Sequence, residues 1–264
     1  MRLLKTLLAV LVLAATVLPG ISCAGETAEL SIFAAAGAKA AIDGVCQKYE
    51  GQGNNKVSPT YGGGGEVLSQ MVLDKSGDVY IAPEQSFMEK AVTQGAVDAD
   101  TIQSVAYMVP AIAVEKGNPK NIQSLEDLAG EGIQLAISRP ETTLVGQFAL
   151  ETFELAGLSE EIGANIVTNA ANPNTLLTML IMGEVDAIIT WHYYAYINSD
   201  DIENVDIPPE LVTGVAEMQI AVSKYSKNVD AAQDYVDFVA SDAGRAVFAE
   251  YGYYVNDEEV EPYR

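Results

Sequence analysis

The run AAAGAK, Ala34 to Lys39, joins a strand-like segment to a helix start, and YGGGGE, Tyr61 to Glu66, repeats the arrangement. Backbone N–H groups in the first turn of a helix have no intrahelical partner, and with the helix dipole they form a site for an anion. The glycines, Gly37 in the first loop and Gly64 within the second, let a ligand approach the backbone closely. A flexible turn is the alternative for the second loop. Neither loop carries the spacing or the Lys-Ser/Thr pair of a nucleotide-binding turn, so a small, compact ligand fits better than a nucleotide.

Three further segments follow strands and precede helices. SRPETT, Ser138 to Thr143, offers the Arg139 guanidinium for an anion and the hydroxyls of Thr142 and Thr143, or simply a capped helix start. APEQ, Ala82 to Gln85, puts Glu84 at the carboxyl edge of a strand, where ligands bind in open sheets; a helix-start carboxylate is an equal alternative. TWHYYAY, Thr190 to Tyr196, holds the only Trp, the only His and three Tyr residues. The phenols of Tyr193 and Tyr194 with the Glu84 carboxyl suit a hard ion such as Fe(III), and an aromatic wall between lobes is the alternative. His192 has no sequence sign of a triad. GxSxG, HExxH, CxxC and EF-hand patterns are absent, so no enzyme chemistry and no cofactor are expected. Tyr251, Tyr253 and Tyr254 read as packing residues.

The 264 residues carry 37 Asp plus Glu against 14 Lys plus Arg, a net charge of −23. With no basic run to offset it, nucleic-acid binding is excluded. One His and two Cys exclude zinc fingers and disulfide scaffolds by count. Apolar residues at 49% and charged ones at 19% give a chain that buries a core.

Residues 1–24 read as a secretory signal peptide: Arg2 and Lys5, an apolar run, Pro19-Gly20, then small residues. Either cleavage follows Ala24, or Cys23 becomes an acylated N-terminus. Both place the mature chain outside the cytoplasmic membrane. Cys46, in a helix-like segment, reads as a small buried residue, with a disulfide to Cys23 the lesser alternative.

The remainder alternates strand-like and helix-like segments, as in βα units with a parallel sheet. ELSIFA (Glu29 to Ala34), Lys56–Tyr61, VYIA (Val79 to Ala82), Gln134–Ser138, Ile166–Asn169, Asp186–Trp191 and Glu217–Ser223 read as strands. SVAYMVPAIAVEK, from Ser104, is a long apolar strand that Pro110 must bend or interrupt. The pattern predicts an α/β fold of two lobes joined by two crossing strands. Lobe 1 takes 27–109 plus 219–264 and lobe 2 takes 110–218, with a ligand in the cleft between them. A single doubly wound sheet is the alternative. No internal sequence repeat is visible.

FAAAGAKAAID, YGGGGEVLSQM, GDVYIAPEQSFMEKA, RPETTLVGQFALETFELAGL and TLLTMLIMGEVDAIIT, in that order, resemble the periplasmic molybdate-binding proteins of ABC importers. The resemblance implies a two-lobed type II periplasmic binding protein-like fold. It also implies capture of a tetrahedral oxyanion such as molybdate or tungstate by neutral hydrogen bonds, and delivery to an ABC permease in the membrane. The protein is expected to be a monomer. Ligand-touching positions carried over are Gly37, Gly64, Val145, Asn172 and Thr190. The family offers a serine hydroxyl where this chain has Gly37 and Gly64, and a ligand tyrosine where it has Thr190. Hydroxyl donors must then come from Thr142, Thr143, Thr190 or the tyrosine cluster. Ferric-ion-binding proteins of the same fold are a second resemblance, through Glu84 after DVYIAP and the pair Tyr193-Tyr194, although their early His is absent and Lys39 is the nearest polar residue. A small organic anion clamped by Arg139 is a third reading.

Overall fold

The computed structural model describes residues 29–264. The expected leader and Cys23 lie outside them. In chain order the elements are β1 (Glu29–Ala35), α1 (Lys39–Gly51), β2 (Lys56–Gly62), α2 (Gly64–Asp74), β3 (Val79–Ala82), α3 (Gln85–Thr93), β4 (Gln103–Met108) and β5 (Pro110–Glu115). There follow α4 (Leu125–Leu128), β6 (Leu135–Ser138), α5 (Leu144–Leu155), α6 (Ser159–Asn165), β7 (Ile166–Ala170), α7 (Pro173–Ile181), β8 (Ala187–Trp191), α8 (Tyr193–Ile197) and β9 (Ile202–Val205). The chain ends with β10 (Ala216–Val222), α9 (Val229–Ala240), α10 (Asp242–Glu250) and α11 (Asp257–Val260).

Two five-stranded sheets result, ordered β2-β1-β3-β10-β4 and β7-β6-β8-β5-β9. In the first, β1 is parallel to β2 and β3, while β10 is antiparallel to β3 and β4. In the second, β6 is parallel to β7 and β8, while β5 is antiparallel to β8 and β9. The sheets repeat one plan: three parallel strands from βα units, then an antiparallel strand. The sequence carries no repeat that would announce this, because the plan needs only the hydrophobic pattern and short connections. VYIA of β3 is buried at every position, as a central parallel strand covered on both faces requires. Helix α1 buries Ala41, Ile42, Val45, Cys46 and Tyr49, one helical stripe. The Cys46 thiol lies inside it, 3.3 Å from the Tyr235 hydroxyl.

The expected long apolar strand is two strands in two different sheets. Val109 stands between them, and Pro110, with no N–H to give, begins β5 opposite Trp191 of β8. The Val109 N–H donates to His192 Nδ1 at 3.2 Å, and the His192 N–H donates to the Val109 carbonyl at 3.0 Å. The crossing point is thus fastened to the chain just after β8. The chain returns to the first sheet between β9 and β10.

Candidate functional site

A cavity of about 470 Å³ opens at the carboxyl ends of β1, β2, β3, β6, β7 and β8, lined by residues from both halves of the chain. Helix starts surround it. Gly37 and Ala38 lead into α1, Gly63 and Gly64 start α2, and Glu84 precedes α3. From the second half come Thr143 before α5, Asn172 before α7 and Tyr193 opening α8. The topology enforces this convergence, since every parallel strand hands its chain to a helix at the same sheet edge.

The backbone donors at these starts differ in availability. At α5 the Thr143 hydroxyl accepts from Gly146 N–H at 3.3 Å and donates to the Arg139 carbonyl at 2.8 Å, so it holds the helix start together. Val145, one residue before Gly146, is in the first turn and on the cavity wall, where its N–H has no intrahelical partner. Asn172 Oδ1 caps α7 by accepting from Thr175 N–H at 3.1 Å. Gly63 N–H donates to the Glu66 carboxylate at 3.2 Å, the one half of a capping box that a glycine N-cap can make. Thr142 is exposed, with its side chain at the cavity rim.

Gly37 and Gly64 are glycines for different reasons. A Cβ on Gly37 would lie 3.6 Å from the Tyr193 hydroxyl and 3.7 Å from that of Tyr194, which is ordinary contact. A Cβ on Gly64 would lie 2.7 Å from Pro83 Cγ, where no side chain fits. The Tyr193 hydroxyl donates to the Gly37 carbonyl at 3.3 Å, and the Tyr194 hydroxyl to Asn174 Oδ1 at 3.0 Å. The two rings are 4.6 Å apart, and Tyr253 stacks on Tyr193 at 4.1 Å. Burial raises the pKa of both phenols above the usual tyrosine value, so they are neutral donors.

No Lys, Arg or His is among the described residues that line the cavity. Among its described lining residues the ionisable side chains are Glu66, Glu84, Tyr193, Tyr194 and Tyr253. Lys39 turns away to Asp43 and lies over the Tyr61 ring. Burial pushes the Glu84 carboxyl up to about 7, against a smaller opposing pull from Lys90. That carboxyl makes no capping bond to α3.

Of the residues singled out from sequence, Gly37, Gly64, Glu84, Thr142, Thr143, Val145, Asn172, Tyr193 and Tyr194 lie together on this wall. Thr190 does not. It is fully buried within β8, its hydroxyl without a partner, while its neighbour Trp191 lines the cavity. Strand alternation explains the difference, because adjacent side chains point to opposite faces. Arg139 is exposed and off the wall, its backbone carbonyl engaged by Thr143. His192 is also outside the cavity; it stacks on Tyr254 at 4.2 Å beside the crossing point. Tyr253, expected only to pack, lines the cavity behind Tyr193. Asn174 and the apolar wall of Phe87, Met108 and Met218 are additions that no local sequence signal marked. Among the described residues no group of three or more His, Cys, Asp or Glu side chains is placed to hold a metal ion.

The chain is 30% identical over 233 residues to a putative binding protein of Haemophilus influenzae, covering 86% of this chain and 91% of that one. It is 25% identical over 239 residues to the molybdate-binding protein ModA of Mycobacterium tuberculosis, covering 89% of each. The substrate-binding domain of a putative molybdenum ABC transporter from Clostridium difficile has the same fold, with a TM-score of 0.74 and 23% identity, covering 87% of this chain and 99% of that one. Residues 30–254 match the model of a family described as bacterial extracellular solute-binding protein. On that match, and with the two-sheet architecture and its cavity, the chain belongs to the bacterial extracellular solute-binding proteins.

Proposed function

We propose that this protein captures a tetrahedral oxyanion, molybdate or tungstate, in the cavity between its two sheets and delivers it to the membrane permease of an ABC importer. The observation that carries the reading is the convergence of helix starts from both sheets on one cavity whose described lining includes no Lys, Arg or His. Such a site holds an anion through neutral N–H and O–H donors and the positive ends of helix dipoles. Gly37, Gly64 and Val145 supply backbone donors, and Asn172, Thr142 and the tyrosine hydroxyls supply side-chain donors. The ModA relative supports the choice of molybdate.

The ligand is bound and released without covalent chemistry. The protein acts as a monomer outside the cytoplasmic membrane, after cleavage of residues 1–24 or anchored through Cys23. Lobes of 27–109 plus 219–264 and of 110–218 close on the anion about Val109 and the returning strand. The net charge of −23 slows encounter only at low salt, because charges beyond about 10 Å are screened in physiological salt.

Ferric iron is a second reading, since Glu84, Tyr193 and Tyr194 share one wall. It requires both phenols to lose protons that burial holds and to leave the acceptors they now engage.

Thermal unfolding of the mature protein with molybdate, tungstate, sulfate, phosphate or ferric citrate tests the proposal. A ligand at about 100 times its Kd stabilises the folded state by about 2.7 kcal/mol, a visible rise in Tm. A rise with molybdate or tungstate and none with iron supports the oxyanion reading. A rise with iron alone, with visible phenolate colour, contradicts it.

A further inference from the structure

The hydroxyls of Tyr193 and Tyr194 both come close to the place where a side chain on Gly37 would begin. They lie 3.6 and 3.7 Å from the position of that absent Cβ. Each residue is 3% exposed, yet both line the cavity. Tyr253 braces the pair by stacking on Tyr193. Fixed rings leave each hydroxyl one freedom, rotation of its proton, and each now donates to a neutral protein acceptor: the Gly37 carbonyl, and Asn174 Oδ1.

We propose that Tyr193 and Tyr194 act as a paired-hydroxyl clamp that turns its two O–H donors from these internal acceptors onto the bound anion, in the space that Gly37 keeps free. The proposal rests on the oxyanion reading above and extends it to the side-chain donors that determine affinity. A hydrogen bond to an ionised acceptor is shorter and stronger than one to a neutral carbonyl or amide, so the exchange favours the complex. A phenol held neutral keeps a proton to donate to an unprotonated ligand oxygen. Tyr193 also reaches from the second half of the chain to the first, so the same exchange couples capture to the relative position of the two sheets.

Calorimetric titration with sodium molybdate tests this on five proteins: wild type, Tyr193→Phe, Tyr194→Phe, Gly37→Ser, and Gly37→Ser combined with Tyr194→Phe. Phe keeps each ring and its stacking, so the folds persist, and thermal unfolding without ligand checks this. Each Phe variant is expected to weaken molybdate binding by about tenfold or more. In the combined variant the new serine hydroxyl enters the vacated space and recovers most of the loss, which a merely structural tyrosine would not permit. Phe variants that bind molybdate as tightly as wild type overturn the clamp and leave the oxyanion reading intact. Loss of binding without recovery by Gly37→Ser also overturns it. Failure of wild type to bind molybdate overturns the clamp together with the oxyanion reading.

Discussion

The Tyr193 hydroxyl donates to the Gly37 carbonyl across 3.3 Å, joining the start of α8, which follows β8 of the second sheet, to the turn before α1, which follows β1 of the first. Both residues line the cavity, one from each half of the chain. Removal of this bond in Tyr193→Phe costs the arrangement that holds α8 against the turn before α1 about 1 kcal/mol, an approximately fivefold shift toward arrangements in which the two are further apart. Small-angle X-ray scattering of the ligand-free variant should give a larger radius of gyration than wild type. An unchanged radius would mean that other contacts set the separation of the sheets.

The glycine-rich loop divides into positions with opposite tolerance. Gly64→Ala forces a Cβ to within 2.7 Å of Pro83 Cγ and should destabilise the fold by about 1–3 kcal/mol. Gly63→Ala meets nothing closer than 3.8 Å and has an extended backbone, so its change should stay within about 0.5 kcal/mol. Urea unfolding of the two variants measures both. Equal destabilisation would contradict the packing account.

Glu84 imposes a pH dependence. In the native protein its carboxyl keeps a proton up to about pH 7, whereas the ordinary value is 4.5. The stability linked to this group is therefore fully present below 4.5 and is lost as pH rises through about 7. Ionisation also adds a negative charge beside the proposed anion, so molybdate affinity should fall as pH climbs above about 7. In Glu84→Gln the carboxyl's contribution disappears, and both Tm and affinity should vary less over that range. A variant as pH-sensitive as wild type would assign the dependence to another group.

His192 acts in the opposite direction. Burial lowers its pKa from 6.5 to about 4, so the native state holds the ring neutral, accepting from Val109 N–H. Its contribution is fully present above 6.5 and is lost as pH falls through about 4. His192→Asn removes the titrating group, and its stability should decline less between those values. Parallel acid-unfolding curves for the two proteins would contradict this.

Much of the fold was legible in the sequence because its elements carry their own periodicity. Val79–Ala82 appears with the bounds that its apolar run suggests. Elements defined by their partners were not. Ile202–Val205 is a strand only through its pairing with β5, and two of its four residues, Glu203 and Asn204, are polar. Tyr193–Ile197 is a five-residue helix of mostly aromatic and β-branched residues, with propensity against it. The site divides similarly. Glycines, caps and tyrosines at strand-to-helix junctions were visible. The side of β8 on which Thr190 falls, the collision that fixes Gly64, and the stacking of Tyr253 on Tyr193 all depend on contacts between distant segments.

A crystal structure of the mature protein with tungstate, located by anomalous scattering from tungsten, tests the central claim most directly. The account predicts one tungstate between the sheets. Its oxygens should lie within hydrogen-bonding distance of the backbone at Gly37, Gly64 and Val145 and of the Tyr193 and Tyr194 hydroxyls. Tungstate held by a Lys or Arg side chain elsewhere, or an empty cavity at saturating tungstate, would contradict it.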